Sequence, residues 1–277
     1  MTIDSHQHFW TFDPIRDSWI TDDMSVIQRN FYPEDLQATL QQNGIDACVA
    51  VQADQSLGET RFLLDLAAKN DFIKAVVGWI DLQDDAIDEQ LSEWKSEKKL
   101  AGFRHVLQAE PDTEYMLRPS FLRGISKLKN HEFTYDILIF PKHLATAQKF
   151  VAQFPYQPFV LDHIAKPFIK AGLIDEWKRD IKSLAKFENL QCKVSGIITE
   201  ADWKSWTYEQ IIPFLDIVFE SFGVERIMFG SDWPVCLVAG DYSRVKKIIE
   251  TYMKDFSVSE KAKVFGENSA RFYGIIE

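Results

Sequence analysis

The chain has 277 residues, 46% of them apolar, enough for one large α/β domain, and no apolar run approaches the roughly 18 residues that a membrane span needs. Its formal net charge of −11 leaves no basic footprint for phosphates, which argues against nucleic acid as a partner. Cys48, Cys192 and Cys236 make no paired framework and no C-x-x-C, and Thr2-Ile3-Asp4 leads straight into an apolar run, so buried thiols and a cytoplasmic protein without a secretory leader are expected.

Residues 2–8 read as the first strand and carry His6 and His8. Alternate strand residues share a face, so both imidazoles are expected to point the same way. Residues 9–32 make a long connection with Phe9, Trp10, Phe12, Trp19 and Ile20, either a lid over the C-terminal face or a loop packed into the core. A helix is predicted over 33–43, with Pro33 at its start, Leu36 and Leu40 on one face and Gly44 as its stop. Strand 45–53 contains Gln52, and Ser56 and Glu59 then form a capping-box pattern ahead of Phe62, Leu63, Leu66 and Ala67. Strand 73–80 is followed by the helical stripe Ile87, Leu91, Trp94. Strand 100–106 closes on Gly102-Phe103-Arg104-His105, strand 133–139 follows, and strand 158–163 closes on Leu161-Asp162-His163. Trp177, Ile181 and Leu184 mark the next helix, 190–195 the next strand, and Ile212, Leu215, Phe219 and Phe222 one face of a helix over 209–222. The last strand, 226–232, ends in Asp232.

Eight strand-like runs alternating with helical segments predict a single-domain (β/α)8 barrel over residues 1–277. An open doubly wound sheet is the alternative, but no G-x-G-x-x-G follows the first strand. In a barrel the first and last strands are neighbours, which would bring His6 and His8 to Asp232.

Four histidines and one carboxylate then share the C-terminal rim: His6, His8, His105, His163 and Asp232. His131 precedes the fifth strand, at the opposite mouth, and His143 lies at a helix start as a surface or capping residue. Burying several polar rings costs free energy unless they are hydrogen-bonded or hold a ligand, so the rim is expected to be a functional centre. Three imidazoles and one carboxylate suit one divalent ion, zinc first. The same groups also work without metal, the imidazoles polarising a carbonyl while Asp232 takes a proton from water. The residues leave both open.

The strand ends resemble those of the lactonase-like amidohydrolase 2 group of the amidohydrolase superfamily, which includes L-fuconolactone, L-rhamnonolactone and 2-pyrone-4,6-dicarboxylate hydrolases. The resemblance rests on Asp4-Ser5-His6-Gln7-His8-Phe9-Trp10, Gly78-Trp79-Ile80-Asp81-Leu82, Gly102-Phe103-Arg104-His105, Leu161-Asp162-His163-Ile164-Ala165-Lys166-Pro167, Lys193-Val194-Ser195-Gly196 and Gly230-Ser231-Asp232-Trp233-Pro234. It implies that His6, His8, His163 and Asp232 hold metal or polarise the substrate carbonyl, with Asp232 as general base. Arg104-His105 stands where two-metal members carry a lysine, and Tyr135-Asp136-Ile137-Leu138 lacks a histidine, which implies one metal ion or none. Ala165 stands where glycine is expected.

The resemblance implies a small-molecule lactone, opened to its aldonic acid by Asp232 with His163 and His105. Trp10, Trp79 and Trp233 would pack on a sugar, or simply on the core. Gln52, Arg104 and Lys193 would bind its polar groups. A dicarboxylate would call for several arginines, and Arg104 alone is found near the centre, which favours a neutral sugar lactone. The competitors are a metal-dependent decarboxylase of a muconate-like or aromatic acid and a sugar-binding barrel without turnover.

Overall fold

A computed structural model of the chain describes residues 1–276. The strands are β1 (Ile3–Gln7), β2 (Ala47–Val51), β3 (Ile73–Gly78), β4 (Leu100–His105), β5 (Thr134–Ile137), β6 (Phe159–Leu161), β7 (Leu190–Val194) and β8 (Ile227–Phe229). Each pairs in parallel with the next in the chain. The edge strands meet just past β8: Asp232 N donates to His6 O (2.8 Å) and His8 N to Trp233 O (2.7 Å). The sheet thereby closes into a single-domain (β/α)8 barrel, as the strand count predicts.

Between the strands run α1 (Pro33–Gln42), α2 (Leu57–Lys69), α3 (Ile87–Trp94), α4 (Pro119–Leu128), α5 (Leu144–Val151), α6 (Asp175–Leu184) and α7 (Tyr208–Phe222); α8 (Tyr242–Tyr252), α9 (Val258–Ala262) and α10 (Asn268–Tyr273) follow β8. Pro33 opens α1 and Gly44 leaves it in the left-handed conformation (φ +63°) that a residue without Cβ adopts freely. Only half of the capping box predicted for α2 forms. Ser56 accepts from Glu59 N (3.1 Å), but the Glu59 carboxylate turns to Ala53 N (3.0 Å), tying α2 to the end of β2. No helix is long and apolar enough to cross a membrane.

Alternation along the strands sorts their side chains. Cys48, Ala50, Val76, Phe103, Tyr135, Phe159 and Cys192 pack with the helices. Ile3, Val49, Val51, Val77, Val160 and Met228 form a second apolar cluster with Tyr273 of α10. That cluster fills the lower barrel and leaves the upper interior to polar residues. The pairing of β1 with β2 shifts between Asp4 and Gln7. Asp4 serves the wall, accepting from Ser231 N (2.8 Å) and Tyr242 Oη (3.0 Å), while His6 enters the interior. The long 9–32 connection is largely folded down: Phe9, Trp10, Ile20, Ile27 and Phe31 are buried, and Trp10 and Phe31 pair through both backbone groups (3.0 and 2.9 Å).

Candidate active site

A charged floor lies inside the barrel, supplied by inward-facing positions of β4, β5 and β7 and the residue after β6. Arg104, Asp136, Asp162 and Lys193 are all buried. Lys193 Nζ donates to Asp136 (2.5 Å) and lies 3.0 Å from Asp162 Oδ1. Arg104 donates to Asp162 (3.0 Å), to Gln52 Oε1 (3.1 Å) and to the Gln52 carbonyl. Tyr273 Oη donates to Asp136 from below (2.9 Å). Two cations thus offset two carboxylates, the pairing that buried charge requires. Burial pushes the Asp136 carboxyl up, and Lys193 only partly opposes it. Burial acts on Asp162 too, but Lys193, His6 and Arg104 outweigh it and hold that carboxyl well below the usual range.

The imidazoles stand on this floor. His6 Nδ1 lies 3.3 Å from Asp162 Oδ1 and 3.1 Å from Lys193 Nζ; its Nε2 is 3.2 Å from His8 Nε2. His8 Nδ1 sits 2.7 Å from the Val51 carbonyl, which only accepts, so Nδ1 donates there and Nε2 faces the cluster. His163 Nδ1 meets Ser195 Oγ at 2.9 Å. Asp232 Oδ1 faces all three rings, 3.4 Å from His8 Nε2 and 3.9 Å from the Nε2 of His6 and of His163.

His163 and Asp232 reach this cluster through left-handed backbone (φ +53° and +57°), and the run continues through Ile164, Ala165 and Lys166. Such a run of non-glycine residues carries a conformational cost and persists only where its surroundings fix it. Trp177 Nε1 donates to Ile164 O (2.8 Å) and Lys166 N to His163 O (2.8 Å). Gly196 gives the rings room: with φ +62°, a Cβ there would stand 2.7 Å from His163 Nδ1. Burial lowers His163 to about 4, against the pull of Asp232, and lowers His6 well below its ordinary value. For Asp232, burial would raise the pKa, but His163, His8 and His6 outweigh it and keep the carboxyl well below the usual range. Near neutral pH the neutral rings of His6 and His163 therefore face an ionised carboxylate.

That donor set fits a divalent ion. Ligand atoms of His6, His8 and Asp232 all lie within 4.8 Å of one another, and so do those of His6, Asp162 and His163. Tetrahedral ligands at about 2.1 Å from zinc stand roughly 3.4 Å apart, near the separations observed here. Each imidazole is also oriented by a polar group behind it, as metal-ligating histidines are.

The amidohydrolase family model matches residues 3–275. This chain belongs to the amidohydrolase family. It is 37% identical to an L-fucono-1,5-lactonase of Burkholderia multivorans, across 100% of this chain and 97% of that protein. It is 34% identical to an L-fucono-1,5-lactonase of Burkholderia ambifaria, across 99% of this chain and 95% of that one. A crystal structure of a Burkholderia multivorans amidohydrolase with bound zinc superposes with a TM-score of 0.96 at 37% identity, covering 100% of both chains.

In this amidohydrolase a cavity of about 210 Å³ opens on the cluster, lined by His8, Trp10, Trp19, Arg104, His163, Lys166 and Asp232, with Ala53, Val106, Gln108, Ala109, Leu138 and Val235. A larger groove of about 680 Å³ runs past Pro141, Phe168, Leu173 and Trp177 and touches none of these residues. His6, beneath His8, completes the centre.

Five residues expected to act on the substrate do not line the cavity. His105 faces out of the barrel because Arg104, its neighbour on β4, faces in; it stacks on Tyr115 (5.0 Å) and bonds Glu110 (2.7 Å). Trp79 Nε1 donates to His105 Nδ1 (3.4 Å), and its backbone N–H and carbonyl both bond the Thr60 hydroxyl, away from the cavity. Trp233 is buried between Phe9 and Phe31. Gln52 and Lys193 belong to the floor: the first orients Arg104 and the second pairs with Asp136, so neither lines the cavity. His143 is buried and receives the Phe140 N–H (3.2 Å), a capping role rather than a surface one. Trp19, Lys166, Asp162, Asp136 and Tyr273 are not among the site residues expected from the sequence. Asp136 and Lys193 did leave a trace there, as charges inside otherwise apolar strands.

Proposed function

We propose that the protein hydrolyses a sugar-derived lactone to its aldonic acid, with an L-fucono-type lactone as first candidate and an L-rhamnono type as second. The L-fucono-1,5-lactonase relatives support this reading. The observation that carries it is Asp232, an ionised carboxylate at the cavity floor facing three imidazole Nε2 atoms.

When bound by His6, His8, His163 and Asp232, a divalent ion supplies Lewis-acid polarisation of the lactone carbonyl. Arg104, 3.3 Å from His6 Nε2, lends positive charge beside the oxygen that becomes negative as water adds. Asp232 takes the proton of the attacking water. Its low pKa suits a late transfer, because the water becomes strongly acidic as its bond to carbon forms. It returns that proton to the ring oxygen as the carbon–oxygen bond breaks. Arg104 and Lys166 are the cations lining the cavity, and Arg104 is already engaged by Asp162 and Gln52, which favours a neutral lactone over a dicarboxylate.

A lactone panel assayed by acid release, with added zinc and with chelator, tests the reading. Turnover of a sugar lactone is expected, and no turnover across the panel would remove the proposal. Asp232→Asn is expected to lower kcat by roughly 10²–10⁴-fold. Unchanged kcat would take the general base away from Asp232 and leave the substrate assignment standing.

A further inference from the structure

Three tryptophans stand near the cluster, and only one has surface to offer. Trp10 is 2% exposed; its Nε1 donates to Arg29 O (2.8 Å), and its ring rests on Phe31 at 5.4 Å. Trp233 is 4% exposed, between Phe9 and Phe31. Trp19 is 45% exposed, yet it lines the same cavity as His8, His163 and Asp232. Among the described residues its one ring contact is an edge-to-face meeting with Trp10 at 6.1 Å, and its Nε1 makes no hydrogen bond.

The turn that carries Trp19 is tied to itself. Asp13 Oδ1 accepts from Ile15 N (2.8 Å) and Arg16 N (3.0 Å). Asp17, buried, accepts from Asp13 N (2.9 Å) and Arg16 Nε (2.9 Å), and its own carbonyl takes Ile20 N (2.8 Å). Asp17 and Ile20 both point inward at 4% exposure. Trp19 lies between these two anchors, which fix its backbone at the cavity mouth, and its ring meets Trp10 there. A platform whose backbone is set before a ligand arrives loses less freedom on binding.

We infer that Trp19 is the stacking platform for the lactone ring and sets which ring faces the enzyme accepts. The inference rests on the sugar-lactone reading. The C–H face of the ring lies on the indole, and both surfaces leave water together. Lactones whose hydroxyls leave one face bare of oxygen are selected, and those with oxygens on both faces lose the contact.

Kinetics and tryptophan emission test this. Trp19→Ala is expected to raise KM roughly 10-fold with kcat changed less than about threefold, and Trp19→Phe to recover most of the loss. Lactone added to Asp232→Asn protein, where turnover is suppressed, is expected to shift the emission, and Trp19→Phe in that background to remove most of the shift. An unchanged KM in Trp19→Ala overturns the platform. So does a fall in kcat and thermal midpoint with KM unchanged, because that is the mark of a structural residue. If the wild-type protein hydrolyses no sugar lactone, the catalytic reading fails by itself; an emission shift lost with Trp19 would still establish the platform.

Discussion

Ala165 holds φ +59°, third in the left-handed run that begins at His163. A Cβ in that region crowds the backbone, and this is the position where the family resemblance leads one to expect glycine. Glycine there would relieve the crowding at the cost of a looser unfolded chain. Ala165→Gly is therefore predicted to stabilise the fold by about 0.5 kcal/mol, measured by urea unfolding, with activity retained. Destabilisation by more than about 1 kcal/mol would mean that the Ala165 methyl, fully buried, contributes more packing than its backbone costs. Lys166, the next residue, differs in kind: its strained backbone delivers an ammonium to the cavity, so the strain there serves the site.

α10 reaches into the barrel from below, and Tyr273 is the link, packing in the lower apolar layer while its hydroxyl holds Asp136. Removing that donor leaves a buried carboxylate with one partner fewer. Tyr273→Phe is predicted to cost about 1–3 kcal/mol in unfolding free energy while kcat stays within a few-fold, because Lys193 still holds Asp136. Loss of activity without loss of stability would place Tyr273 in the chemistry instead. Elements of this kind were legible in part. All eight strands appear where apolar runs predicted them, since burial on both faces leaves a plain signature. Their ends did not: the runs 158–163 and 226–232 predict strand to His163 and Asp232, but β6 ends at Leu161 and β8 at Phe229. His163 and Asp232 themselves adopt left-handed backbone although neither is glycine. His105 and Arg104 show a second limit. Neighbours on a strand face opposite ways, and which one faces inward depends on the register of the whole barrel.

The molecule balances buried groups of opposite titration sense. Burial raises Asp4 to about 6 and Glu59 from 4.5 to about 7, so both bind protons more tightly folded than unfolded, and their contribution to stability drains as pH rises. His6 and His163 are lowered by burial, so their contribution is lost as pH falls below 6.5. The two sets push stability in opposite directions as pH changes. Glu59→Gln removes one side of that balance. The stability advantage of wild type over the variant is predicted to shrink by roughly 2–3 kcal/mol between about pH 5 and 7.5, read from urea unfolding at each pH. A pH-independent gap would mean that Glu59 titrates like a solvated acid. The barrel seam has a further consequence, in time. His6 and His8 are translated well before Asp232. Under the proposed function, the growing polypeptide holds only half of the centre until Asp232 follows, and turnover starts once the final stave of the barrel has joined the first.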